Sequence, residues 1–131
     1  MKALVTGASG FVGNYLVRLL REQGWHTTGL DLRPSRAVDR NIVTDLSRLT
    51  PSKLGKGKFD AVFHLAAFSH VPTSNRNPLL AFEANVRATF HLFRTISPGP
   101  RILFISSGDV YGKGHTGPIP ETATLRPTNA Y

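Results

Sequence analysis

Glycines stand at positions 7, 10 and 13 in the run Thr6-Gly7-Ala8-Ser9-Gly10-Phe11-Val12-Gly13, between an apolar stretch and a segment of helical periodicity. That placement suits a phosphate cradle. The first glycine permits a tight turn, the second lets backbone approach a pyrophosphate, and the third lets a helix pack close on a strand. The helix would then offer free N–H groups and a partial positive charge to the phosphates, with Ser9, Phe11 and Val12 completing the cradle. The spacing is Gly-x-x-Gly-x-x-Gly, not the commoner Gly-x-Gly-x-x-Gly. A glycine triplet alone is also what any tight strand-to-helix turn needs. Asp31 tips the reading toward a dinucleotide. A carboxylate ending the second strand can accept hydrogen bonds from ribose hydroxyls and would repel a 2′-phosphate, which favours NAD. Leu32 and Arg33 follow at once. Arg33 and Arg36 are read as a solvated loop, although they could embrace a 2′-phosphate and so leave NADP possible.

A chain of 131 residues with 40% hydrophobic content is enough for one domain with a substantial core. No apolar run approaches the ~20 residues that span a bilayer, so no membrane association is expected. Glycine comes too soon after Met1 for a signal peptide. There is no cysteine, hence no disulfide framework or thiolate metal site, and no metal is expected. A cytoplasmic location is expected. The net charge of +8 raises nucleic acid as a partner, but the basic residues are scattered rather than gathered on one face. The densest group, Lys53 to Lys58, reads as a short glycine-broken loop. The excess charge would instead favour anionic cofactors and nucleotides through long-range attraction.

The elements that must position the glycines and Asp31 alternate. Lys2–Thr6 reads as a buried strand. Val12, Tyr15, Leu16, Leu19 and Leu20 recur at helical spacing, with Gly24 as the stop. His26–Asp31 is a second strand and Asn41–Thr44 a short third. Asp45–Leu54 is at best a brief helix, because Pro51 falls inside it. Ala61–Ala67 and Arg101–Ser106 are apolar strands. Pro78–Ile96 is the longest helix, with proline at its first position and a stripe of Leu79, Phe82, Val86, Phe90 and Phe93. The segment from Ser107 to Tyr131 reads as loop. Strands apolar throughout are covered on both faces, and alternation with helices implies right-handed crossovers. The fold class is α/β: a doubly wound parallel sheet of about five strands, a Rossmann-like NAD(P)-binding domain over residues 1–131.

Several further motifs occur in a characteristic order: Asp45-Leu46, His64-Leu65-Ala66-Ala67, Asn85, Ser106-Ser107-Gly108-Asp109-Val110-Tyr111-Gly112, and Pro120-Glu121-Thr122 through Leu125-Arg126-Pro127-Thr128 to Tyr131. With Thr6–Gly13 and Asp31, this set resembles the extended short-chain dehydrogenases, specifically the N-terminal part of a nucleotide-sugar epimerase or dehydratase. The nearest flavour is the GDP-mannose dehydratase and GDP-4-keto-6-deoxymannose reductase group. The resemblance covers the whole chain. It implies that Asp45 and Leu46 flank the adenine, and that Leu65, Ala66 and Ala67 lie under the nicotinamide side. It implies that Asn85 is an active-site asparagine, the bland alternative being a helix-surface polar residue. It implies that Ser107 hydrogen-bonds the reacting oxygen and that Tyr131 is the tyrosine of a Tyr-x-x-x-Lys signature, the alternative being the last residue of a tail. His64, inside an apolar strand, is read as a buried structural histidine. Tyr111 is read as packing or cofactor-side structure rather than a catalyst.

In the chemistry so implied, the Tyr131 phenolate removes a proton from a sugar hydroxyl while hydride passes between that carbon and the nicotinamide, and Ser107 orients the oxygen. Free tyrosine titrates near pH ~10, so nearby positive charge must favour phenolate. The family uses a lysine four positions further on, beyond this chain. The expectation is thus a truncated domain, incomplete at its C-terminus and without a substrate domain. Asp109 stands where dehydratases place a glutamate, which leans toward epimerase or reductase. A nucleotide sugar is the expected partner in the full-length family, and a homodimer the expected assembly. A non-catalytic NAD(P)-binding or sensing module, or a bare structural fragment, are the competing readings.

Overall fold

The computed structural model describes residues 1–55 and 58–131. Lys56 and Gly57, part of the basic stretch expected to be a loop, lie outside the described residues. Five strands form one sheet: β1 (Lys2–Thr6), β2 (His26–Asp31), β3 (Arg40–Val43), β4 (Ala61–His64) and β5 (Arg101–Phe104). Their order is β3-β2-β1-β4-β5, and every pairing is parallel. The chain thus moves outward from β1 to one side, then crosses back to β4 and β5. The order reverses at β1, and the crevice at the carboxyl end of such a reversal is where doubly wound sheets bind ligands.

Helices cover both faces. Helix α1 (Phe11–Glu22) packs through Val17 and Leu20 on Ala3, Val5 and Ala8. On the opposite face, Leu4, Leu30 and Val62 pack with Leu46, Leu49, Leu92 and Ile96. Alternate residues of β1 therefore feed two separate cores, which is why the strand carries no polar face. Gly24, at φ +78°, ends α1 in a backbone conformation that favours glycine.

The structure corrects the expected elements in several places. Pro51 does not interrupt a helix. It occupies the first turn of α2 (Pro51–Leu54), where its missing N–H would have had no partner, and a separate 3₁₀ turn spans Leu46–Arg48. A further helix, α3 (Val71–Arg76), precedes the long one. The long helix itself is α4 (Pro78–Phe82), a π turn (Glu83–Arg87) and α5 (Ala88–Thr95) in succession. Its large apolar stripe faces outward: Leu79, Phe82, Val86 and Phe90 are exposed, while Ala81, Ala88 and Leu92 are buried. Small residues let the helix lie close to the sheet and leave the bulky side chains on its far side. The same holds for Val12, Tyr15 and Leu19 of α1, which are exposed. Strand β4 stops at His64, and β5 stops at Phe104. β5 is not buried: Ile102, Leu103, Phe104 and Ile105 are 46–53% exposed. It is the sheet's edge, and its apolar character does not mean that this chain covers it.

Leu92 is fully buried in the α5 core. Leu92→Ala should lower the unfolding free energy by about 2–5 kcal/mol. A denaturant titration showing a loss well under 1 kcal/mol, outside the ~2–5 range for buried leucines, would contradict this packing of α5 on the sheet.

Candidate functional site

The carboxyl ends of β1, β2 and β4 converge on one crevice. β1 runs into Gly7, whose amide donates to the Leu30 carbonyl at 2.9 Å and whose φ is +72°. A Cβ on Gly7 would stand 2.9 Å from the Ala66 nitrogen and 3.0 Å from the Leu65 carbonyl carbon. The turn therefore rests directly on the peptide that leaves β4. A Cβ on Gly13 would collide with the Gly7 carbonyl oxygen and stand 2.9 Å from Ala8 Cα. The two glycines thus bring turn, helix and neighbouring strand into backbone contact. Gly10 precedes α1 in extended conformation; no described side chain caps the helix, and its first turn holds no acid. Its leading N–H groups have no partner within the helix, and the macrodipole adds positive potential there. Ser9, Gly10 and Phe11, with Asn14, Tyr15 and Arg18, line an open cleft of about 240 Å³. That is below the ~300–1,000 Å³ of enclosed ligand pockets, and its lining comes from the glycine turn and α1 alone.

Asp31 is fixed at the end of β2 by backbone amides. Its Oδ2 accepts from the Ser9 amide at 2.9 Å, and its Oδ1 accepts from the Leu32 amide at 2.7 Å and the Arg33 amide at 3.4 Å. The carboxylate is thereby tied to the glycine turn while its own side chain stays partly exposed. Leu32, Arg33 and Arg36 are exposed beyond it. These are the features that a dinucleotide's pyrophosphate and ribose require: amides at a glycine-bounded helix start and a fixed acceptor one strand away.

Other expected site residues have structural duties. Asp45 caps the 3₁₀ turn by accepting from the Ser47 hydroxyl at 2.7 Å and the Ser47 amide at 2.8 Å, and those two hydrogen bonds hold its carboxyl below the usual carboxylate range. Leu46 points into the sheet core. Leu65 and Ala66 are half-buried and Ala67 is exposed. Asn85 is not a free surface amide. It sits in the π turn and pairs twice with backbone: its Oδ1 accepts from the Phe68 amide at 2.7 Å, and its Nδ2 donates to the Phe68 carbonyl at 3.1 Å. π turns often mark functional sites, and here the turn aims one amide at the loop after β4. Ser107 precedes a 3₁₀ turn (Gly108–Tyr111), and its hydroxyl accepts from the Asp109 amide at 3.2 Å. Tyr131 is half-buried. The residues before it are tethered: the Ala130 amide donates to Asn75 Oδ1 at 3.0 Å, and Asn129 Nδ2 to Asp109 at 3.4 Å. The last residues thus fold back onto α3 and the Ser107 turn.

Sequence reasoning leaves Thr6, Thr89 and Phe68 without roles at the site. Thr6 Oγ1 lies 2.6 Å from His64 Nδ1 and accepts from the Ala66 amide at 3.1 Å. His64 Nε2 lies 2.7 Å from Thr89 Oγ1. For Thr6 the signal in the sequence is a polar residue at the end of an otherwise apolar strand, as for His64; Thr89 on α5 and Phe68 in the loop after β4 carry none.

Fold and crevice together define a dinucleotide-binding α/β protein of the doubly wound class. Residues 3–131 match the NAD dependent epimerase/dehydratase family, and the chain belongs to that family. It is 33% identical over 142 residues to a UDP-glucose 4-epimerase of Lactobacillus helveticus, covering 100% of this chain and 43% of that enzyme. It is 33% identical over 139 residues to the GDP-6-deoxy-D-talose 4-dehydrogenase of Aggregatibacter actinomycetemcomitans, covering 100% and 44%. Among solved structures, MoeE5 in complex with UDP-glucose and NAD superposes with a TM-score of 0.88 at 36% identity, over 100% of this chain and 44% of that one. The chain therefore spans less than half the length of these relatives. Their names carry both UDP- and GDP-sugars, so the likeness extends beyond the GDP-sugar group.

Burial pushes the His64 imidazole below its ordinary value of 6.5. The unfolded chain therefore binds the proton more readily than the folded one. The stability this gives is complete above the unfolded value and is lost as pH falls below it toward the depressed folded value. Unfolding free energy should fall as pH drops below about 6.5, and His64→Asn should remove that part of the slope. An unchanged slope in His64→Asn would contradict a buried neutral ring.

Proposed function

We propose that residues 1–131 are the cofactor-binding part of an NAD-dependent enzyme that interconverts nucleotide sugars by oxidation and reduction at a sugar carbon. The observation that carries this reading is the cradle at the carboxyl ends of β1, β2 and β4. Gly7 is seated on the Leu65–Ala66 peptide, α1 opens uncapped, and Asp31 is fixed on the Ser9 amide. The residues present fit NAD. Gly7, Ser9, Gly10, Phe11, Val12 and Gly13 would hold the pyrophosphate, and Asp31 with Leu32 and Arg33 the adenosine ribose. Asp45 and Leu46 would border the adenine through their backbone, and Leu65, Ala66 and Ala67 would lie along the nicotinamide half. Bound there, NAD supplies reversible hydride acceptance.

What this chain's own residues contribute is binding and orientation. Ser107, in the loop after β5, would hydrogen-bond the substrate oxygen and Tyr131 would exchange its proton. Asn85 would act through the Phe68 loop rather than on substrate directly. The sugar-binding part would lie in the remaining length that the relatives possess. A second copy pairing through the exposed Leu79, Phe82, Val86 and Phe90 stripe, and a cytoplasmic location, belong to the same proposal.

Isothermal calorimetry should detect NAD binding to the folded chain and weaker NADP binding. Asp31→Ala should abolish that preference by removing both the ribose acceptor and the repulsion of a 2′-phosphate. Absence of heat with both cofactors at about millimolar concentration, a Kd equivalent to only ~4 kcal/mol, would overturn the reading. In a protein continuing to the relatives' length, Ser107→Ala and Tyr131→Phe should each cut hydride transfer, about 10²-fold or more for loss of a positioned proton-transfer group. Unchanged turnover in either would remove that residue from the site.

A further inference from the structure

Among the described residues His64 is the one fully buried histidine, at 1% exposed. A polar ring at the end of an otherwise apolar strand calls for a physical reason. His64 lies in register with Thr6 on one neighbouring strand and Phe104 on the other. Its ring meets Phe93 and Phe104 at centroid separations of 5.9 and 5.5 Å. Both ring nitrogens are engaged, Nδ1 with Thr6 Oγ1 at 2.6 Å and Nε2 with Thr89 Oγ1 at 2.7 Å.

The proton positions follow from the partners. Thr6 Oγ1 already accepts from the Ala66 amide. Its own hydroxyl proton, in a residue with no exposed surface, has Nδ1 as its acceptor. A neutral imidazole has one donor and one acceptor nitrogen, so Nε2 carries the proton and donates to Thr89. Burial keeps the ring neutral, which preserves Nδ1 as an acceptor. The result is a directed chain of hydrogen bonds, Ala66 N–H to Thr6, Thr6 O–H to His64, and His64 N–H to Thr89. It begins at the peptide on which Gly7 rests, where a Cβ on Gly7 would stand 2.9 Å from the Ala66 nitrogen, and ends on α5, directly after the π turn that holds Asn85.

We infer that His64 is a positioning residue of the cofactor cradle: through Thr6 it fixes the plane of the Leu65–Ala66 peptide, and so the seat of the glycine turn that receives the dinucleotide. It touches neither cofactor nor substrate. This inference rests on the reading of that turn as an NAD site. With the relay intact, the Ala66 N–H points inward and the flat face of the peptide is presented to Gly7. With the relay broken, a buried hydroxyl loses its acceptor and the peptide loses its reason to hold that orientation.

Substitutions at the two ends of the ring separate positioning from plain packing. Asparagine places an acceptor near the Nδ1 position and restores the bond from Thr6. Glutamine reaches toward Thr89 instead. Leucine restores neither. NAD affinity and melting temperature are measured for wild type, His64→Asn, His64→Gln, His64→Leu, Thr6→Val and, as a packing control outside the hydrogen-bond row, Leu92→Ala. The expected result is a Kd for NAD raised about tenfold, equivalent to about 1.4 kcal/mol, in His64→Gln, His64→Leu and Thr6→Val. His64→Asn should stay within about threefold of wild type. Leu92→Ala should melt lower with its Kd unchanged while folded. Affinities that follow melting temperature across the whole set, or an unchanged Kd in folded His64→Leu, would overturn the inference.

A second measurement needs no cofactor. Nitrogen NMR of the ring should show bare Nδ1 and protonated Nε2. Hydrogen exchange at the Ala66 amide should quicken in His64→Leu and Thr6→Val but not in Leu92→Ala, under conditions that match global stability. A protonated Nδ1, or equal exchange in all variants, would refute the relay. If wild type takes up no NAD while the relay is seen, the cofactor reading fails and the cradle role fails with it. A relay that is absent while NAD binds refutes the His64 inference alone.

Discussion

The contact between Gly7 and the Leu65–Ala66 peptide is the constraint on which the rest of the crevice depends. It joins the ends of two adjacent parallel strands without any intervening side chain, at a separation that a Cβ would violate. Once Gly7 is so placed, α1 must start close by, and Gly13 must lack a side chain to let the helix settle on Gly7 and Ala8. The uncapped helix start then faces the crevice, and Asp31 can reach the Ser9 amide from the neighbouring strand. Close backbone packing at the end of the sheet thus produces, in one step, both a tight junction of turn, helix and strand and an anion-binding geometry.

Much of this geometry is legible in the amino-acid sequence itself. Close backbone approach demands glycine, so the demand shows in the sequence as Gly7, Gly10 and Gly13. The acceptor that ties the end of β2 to the Ser9 amide shows as an acid at a strand end, Asp31. Two-sided burial of β1 shows as its apolar run. Other features leave no such trace. An apolar strand reads the same whether its own chain covers it or not, so the exposure of Ile102 to Ile105 is invisible in the residue pattern. The stripe of Leu79, Phe82, Val86 and Phe90 likewise marks an apolar face without saying what that face meets. Alanines at 81 and 88, which do the packing, carry little signal because alanine is a helix former anywhere. Pro51 is ambiguous between breaking a helix and starting one. The partner of Asn85 is the backbone of Phe68, which no side-chain pattern marks.

The two faces of the sheet divide the labour. The α1 face supplies the glycine turn and carries an apolar cluster of Ala3, Val5, Ala8, Val17 and Leu20, with buried Thr27 beside Ala3 donating to Asp39. The opposite face carries buried Thr28 in mid-strand and, at its carboxyl end, a partnered row running from buried Thr6 and His64 to half-buried Thr89. Such groups are stabilising only when every member is satisfied, and all three have partners here. The π turn follows directly from this face, and Asn85 uses it to hold the loop beyond β4. The two sides of the crevice are therefore set by different physics, close packing on one and a directed hydrogen-bond row on the other.

The most direct test of the central claim is a backbone amide NMR map recorded as NAD is added to the folded chain. A dinucleotide lying across the carboxyl ends of β1, β2 and β4 must perturb Ser9 to Gly13, Asp31 to Arg33 and Leu65 to Ala67 together, and leave the far ends of the strands, such as Lys2 and Ala61, unmoved. Shifts confined to other surfaces, or shifts at the helix start without Asp31 and Ala66, would contradict the crevice as a single dinucleotide site.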